Sequence, residues 1–148
     1  MWRNLVKAIL KREGTLEEIL AKGLGEAKEY YQKEISNCAE LARYSRMFEI
    51  NTFKGMPEEE IKSSGYVVDS LEAAVWSLLK TTSFKEAALC AVNLGEDTDT
   101  VGAIACGLAG LYYGYEGIPN EWVEKIQCKD EIKKVCLFEW DLRMILYK

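Results

Sequence analysis

Apolar residues recur at intervals of three and four along most of the chain, and no stretch alternates convincingly with period two, so the sequence predicts an all-α protein. Met1 to Arg12 reads as a first helix. "TLEE" at Thr15 to Glu18 fits a capping box, in which the Thr15 hydroxyl serves an orphan amide and Glu18 reaches back to the cap. The helix it starts carries Leu16, Ile19, Leu20, Leu24, Ala27, Tyr30, Tyr31 and Ile35 on its apolar side, with Gly23 and Gly25 weakening the middle.

"SNCAE" (Ser36 to Glu40) offers another start, leading into Leu41, Tyr44, Met47 and Phe48. "NTFKGMPEEE" then breaks the pattern, with Pro57 placed to begin a short helix. "SSGYVVDSLEAAVWSLLK" passes from a Ser/Gly turn into a core helix with Val68, Leu71, Ala74, Val75, Leu78 and Leu79 on its apolar side. "SFKE" (Ser83 to Glu86) is a further capping box, and the helix carrying Ala87, Ala88, Leu89, Ala91, Val92 and Leu94 stops at Gly95.

After "EDTDT" a helix of small and apolar residues runs to Gly114, followed by the loop "YEGIPNEW". Two amphipathic helices complete the chain, one around Trp122 to Ile126 and one from about Asp130 to Tyr147. There is no internal repeat, linker or low-complexity segment, so residues 1–148 read as one compact multi-helix domain.

Composition narrows the chemistry. The 148 residues are 49% hydrophobic, enough for a core. A net charge of −5 with no dense Lys/Arg block argues against a nucleic-acid partner. No stretch approaches the roughly 18 apolar residues of a membrane span, and the opening lacks a long apolar region with a cleavage site, which points to a soluble, cytoplasmic protein. The five cysteines, odd in number and without C-x-x-C spacing, read as reduced, buried thiols. Histidine is absent, which removes Ser/His and Cys/His nucleophile pairs, the HExxH zinc site and imidazole acid–base catalysis.

The chemistry therefore falls to carboxylates, hydroxyls, thiols or a bound metal. In "EDTDT" the carboxylates of Asp97 and Asp99 are two residues apart and the Thr100 hydroxyl follows, so a turn can present three hard oxygen donors to one side. That donor set suits Mg²⁺. Gly102, Ala103, Ala105, Gly107, Ala109 and Gly110 strip bulk from the next helix, letting neighbours approach its backbone and placing its N-terminus near the middle of the fold. Exposed amides there also favour an anionic ligand. The plainer alternative is that Asp97, Thr98 or Asp99 merely caps the helix.

With these residues in view, the chain resembles the C-terminal half of the ADP-ribosylglycohydrolase family. The carrying segments are "SSGYVVDSLEAAVWSLL", "AVNLGEDTDTVGAIACGLAGLYYG" and "IPNEW", in that order, and the match covers roughly residues 15 to 127 well. The resemblance implies an all-α fold with two Mg²⁺ ions in a central cleft and removal of ADP-ribose from modified acceptors. It makes Asp97, Asp99 and Thr100 metal ligands, and Ser64, Gly65 and Tyr66 contacts to ADP-ribose, against the alternative of a turn and a core aromatic. Glu96 occupies a position often held by Gly or Asp and reads as a solvated charge.

The family's N-terminal half carries a G-D-A-x-G-type opening and a T-D-D-type motif that supply the remaining ligands, and nothing between Met1 and Glu60 resembles either. The resemblance thus implies one side of a two-sided site, completed by another chain or a symmetric copy, with no catalytic acid or base assignable here. The competing readings are a catalytically inactive module that binds ADP-ribose or a nucleotide, and a relic domain in which "EDTDT" only caps a helix.

Overall fold

The computed structural model describes residues 1–33 and 38–136. The described elements are all helical, with no strand among the described residues, as the periodicity predicts. They fall into two units, Met1–Gly117 and Ile118–Lys148.

In the first unit, α1 (Trp2–Lys11) buries Leu5, Ala8 and Ile9 and ends at Arg12, whose φ of 53° turns the chain. The capping box at α2 (Leu16–Gln32) is complete: Thr15 N–H donates to Glu18 Oε2 at 2.8 Å, and Glu18 N–H donates to Thr15 Oγ1 at 3.3 Å. Gly23, which weakens α2 by propensity, is where α1 crosses it. A Cβ there would sit 3.0 Å from the Asn4 carbonyl oxygen and 3.2 Å from Leu5 Cα. Close packing thus explains a glycine that helix propensity alone disfavours. Tyr30, placed on the apolar side by spacing, is instead 66% exposed. Ile35 and Ser36 lie outside the described residues.

Four short helical pieces follow: α3 (Cys38–Ala42), a 3-10 turn at Ser45–Phe48, α4 (Ile50–Lys54) and a 3-10 turn at Glu58–Glu60 that follows Pro57. The expected break at "NTFK" is therefore corrected, since those residues are helical in α4, which buries Phe53 completely. The chain breaks earlier, at Glu49, where φ −104° and ψ 69° leave the helical region.

The centre of the unit is α7 (Thr98–Tyr113), which packs along α6 (Phe84–Asn93), α5 (Val67–Lys80) and α1. Its small residues admit these neighbours: a Cβ on Gly102 would lie 3.0 Å from Val92 Cγ1, and one on Gly107 3.2 Å from the Trp2 ring. Leu78 of α5 and Leu108 of α7 are wholly buried, each such side chain contributing about 1.5–3 kcal/mol of transfer free energy. On α6, Leu89 and Val92 are 42% and 38% exposed, so the buried face is carried by Phe84, Ala87, Ala88 and Ala91. Ser83 caps α6 by accepting from Glu86 N–H at 3.2 Å, while the Glu86 carboxylate accepts from Thr82 N–H and hydroxyl, both at 2.9 Å.

In the second unit, α8 (Asn120–Val123) begins two residues before the expected Trp122 start, directly after Pro119, and residues 129–136 are helical. The remainder of the helix expected up to Tyr147 lies outside the described residues. The expectation of buried thiols is also corrected. Cys90 and Cys106 are half-buried, and Cys128 and Cys136 are exposed, all four free. Among the described residues no helix is long and apolar enough to cross a membrane.

Candidate functional site

Two segments far apart in sequence meet at the start of α7. The first is the turn between α6 and α7. Gly95 takes φ +85° and Glu96 φ +48°, so two successive left-handed residues reverse the chain and deliver Asp97 to the N-cap position. A left-handed φ explains why Gly or Asp suits position 96 better than a longer side chain. Glu96 is exposed, in keeping with a solvated charge.

The second segment is the strap 61–66. Buried Ser63 fixes it: Ser63 Oγ donates to the carbonyls of Leu94 at 3.3 Å and Gly95 at 3.2 Å, while Asp97 N–H donates to the Ser63 carbonyl at 3.1 Å. This contact brings Gly65 beside Asp97, so close that a Cβ on Gly65 would lie 2.6 Å from Asp97 Oδ2. The Ser64 hydroxyl donates to Asp69 Oδ2 at 2.7 Å and accepts from Tyr66 N–H at 3.2 Å, which closes the turn. Tyr66 is 44% exposed and its neighbour Val67 62% exposed, so Tyr66 is no core aromatic.

Asp97 sits at the N-cap without a side-chain cap bond. Its carboxyl instead meets that of Asp99. This contact is the first cause holding the Asp99 carboxyl below its ordinary value, and the N–H of Thr100 adds to it. Asp99 thus also faces the amides of the first turn, as a capping acid would. Asp99 is exposed, Asp97 and Thr100 half-buried. The expectation that the N-terminus of α7 lies near the middle of the fold is corrected: Thr98 and Asp99 at its start are exposed, and burial of the helix begins at Val101.

Two neighbouring carboxyl groups with a hydroxyl one residue away form a hard-oxygen donor set that fits part of a Mg²⁺ shell. It is only part: among the described residues no group of three or more His, Cys, Asp or Glu side chains converges on one point. A cavity of about 220 Å³ lined by Met1, Tyr31, Glu40, Leu41 and Tyr44 contains none of these residues.

Ser63 and the Glu72–Arg46 pair escape a reading by motif. Ser63 gives no signal, since one serine of "SSG" looks like the other. Glu72 does give one, because it stands four residues after Val68 and three before Val75, on the face that periodicity buries. The structure makes it 4% exposed.

The chain is similar to known proteins. Over 83 residues the chain is 47% identical to the ADP-ribosylarginine hydrolase Tri1 of Pseudomonas putida (strain GB-1), a match covering 56% of this chain and 22% of that protein. Over 91 residues it is 36% identical to the ADP-ribosyl-dinitrogen reductase glycohydrolase of Rhodospirillum rubrum, covering 62% of this chain and 29% of that protein. The chain thus spans less than a third of the length of these two curated relatives. The ADP-ribosylglycohydrolase family model matches residues 1–145, nearly the full length, and this protein belongs to the ADP-ribosylglycohydrolase family.

Proposed function

We propose that this chain carries the Asp97–Asp99–Thr100 half of a Mg²⁺-assisted site that hydrolyses a glycosidic bond to ADP-ribose, the remaining ligands coming from another chain or a second copy. The observation that carries the reading is the Asp97 carboxyl, which stands at a helix N-cap but forms no cap bond and faces Asp99 and Gly65 instead. A helix cap accounts for one acid, not for two carboxylates held together beside a glycine turn.

The chain's own residues divide the work. Asp97, Asp99 and Thr100 would hold the cation, each through a hard oxygen donor. When bound, Mg²⁺ supplies a point of attachment for the ribose hydroxyls and offsets charge as the glycosidic bond breaks. Ser64, Gly65 and Tyr66 line the ADP-ribose, Gly65 because any side chain there would displace the Asp97 carboxylate. Exposed Tyr66 and Val67 supply apolar surface for the ligand or the completing chain.

No acid or base is assigned, so the second reading, a module that binds ADP-ribose without turnover, is favoured by one specific observation: no third carboxylate joins the pair among the described residues. Mn²⁺ titration followed by electron paramagnetic resonance tests the metal half of the proposal. The chain is expected to take up Mn²⁺ and the Asp97→Ala/Asp99→Ala double variant to lose it. Equal uptake by both would overturn the assignment of these ligands.

A further inference from the structure

Glu72 lies on α5 at 4% exposure, and a carboxylate buried so deeply needs partners. Its Oε2 is 3.5 Å from Arg46 Nη1. Its Oε1, like Arg46 Nε, is buried without a hydrogen-bond partner in the protein. Arg46 uses its other nitrogen elsewhere: Nη2 donates to the Glu60 carbonyl at 3.0 Å and approaches Met56 Sδ at 3.2 Å. Trp76, one turn further along α5, donates Nε1 to the Met56 carbonyl at 3.2 Å. Helix α5 therefore grips the chain directly at Met56 and, through Arg46, at Glu60.

Only Ile61 and Lys62 separate that second grip from Ser63, whose carbonyl takes the Asp97 N–H and whose hydroxyl binds the carbonyls of Leu94 and Gly95. With Glu72 buried, Arg46 partly exposed and one carboxylate oxygen unmet, the pair is a poor device for stability, since the cost of burying the charge offsets much of the attraction. It is a good device for direction. The planar guanidinium fork of Arg46 can face Glu72 with one nitrogen and a backbone carbonyl with another, which the single point donor of a lysine cannot reproduce.

We propose that the Glu72–Arg46 pair is a positioning device: by fixing the chain at Glu60 it sets where Ser63 docks on the α6–α7 turn, and so holds the Ser64–Gly65 turn against Asp97. The function proposed above enters only as what the positioned turn serves.

The test uses the full chain and the variants Glu72→Gln and Arg46→Lys, with amide hydrogen exchange at Asp97 compared with exchange at Leu20, a fully buried residue of α2 that reports global opening. A positioning role predicts that the ratio of Asp97 to Leu20 exchange rises by about tenfold in both variants, a local opening beyond any global loss. Unchanged Asp97 exchange, or a change in step with Leu20, would overturn the proposal in favour of a merely structural pair. Should Glu72→Gln fail to fold, Arg46→Lys decides, because it keeps a charge opposite Glu72 and loses the fork to Glu60. Where the unsubstituted chain binds ADP-ribose with Mg²⁺, both variants are expected to weaken that affinity by about tenfold. An unsubstituted chain that binds no ADP-ribose counts against the function above and leaves the exchange result standing.

Discussion

Gly65 lies against the Asp97 carboxylate, so that a Cβ at position 65 would come within 2.6 Å of Asp97 Oδ2. Contact, not backbone conformation, makes glycine necessary here, since the φ of Gly65 is not left-handed. Gly65→Ala is therefore expected to swing the Asp97 carboxylate aside while leaving the exposed turn folded. We predict a stability change under about 1 kcal/mol in urea unfolding, with Mg²⁺-dependent ADP-ribose binding weakened about tenfold or more. A variant that binds as the unsubstituted chain does would separate Gly65 from the site.

Two N-cap positions offer a matched comparison. Ser83 accepts a bond from Glu86 N–H, whereas Asp97 makes no side-chain cap bond. Ser83→Ala is expected to cost about 1 kcal/mol and Asp97→Ala at most a few tenths, read from urea unfolding midpoints. Ligand binding should move the other way, surviving Ser83→Ala and disappearing in Asp97→Ala. A large stability loss in Asp97→Ala with binding intact would mark that residue as a structural cap.

Burial pushes the Glu72 carboxyl above its ordinary 4.5, against the pull of Arg46 and with a smaller push from Asp69. The folded state thus holds this proton more tightly than the unfolded chain. Its stabilising contribution is fully present below pH 4.5 and is lost as pH rises through the raised folded value. Glu72→Gln removes that titration. The stability of Glu72→Gln minus that of the unsubstituted chain should therefore rise with pH across this window, and parallel pH profiles would show that Glu72 titrates as it does in the unfolded chain.

Much of the fold was legible because its signals are local. Thr15 and Glu18 announce α2 through a bond that spans three residues, and Gly95 ends α6 through its own φ. Short segments were less legible: between Ala42 and Pro57 the helical pieces bury Met47, Ile50 and Phe53, a spacing of three that runs too briefly to mark where one short helix ends and the next begins. The metal-ligand candidates could be named from "EDTDT", and their meeting with the Ser64–Tyr66 turn was implied only by resemblance, because it depends on Ser63 bonds that span more than thirty residues. Gly23 could be read as a weakness but not as a crossing point, since a glycine's propensity is local and its neighbour Leu5 belongs to another helix.

The most direct measurement is calorimetric titration of the purified chain with ADP-ribose, with and without Mg²⁺. An organised half-site predicts binding that appears with Mg²⁺ and vanishes on its removal or in Asp97→Ala. Absence of binding in both conditions, or binding indifferent to Mg²⁺ and to Asp97, would contradict the assignment of Asp97, Asp99 and Thr100 as the metal-bearing side of an ADP-ribose site.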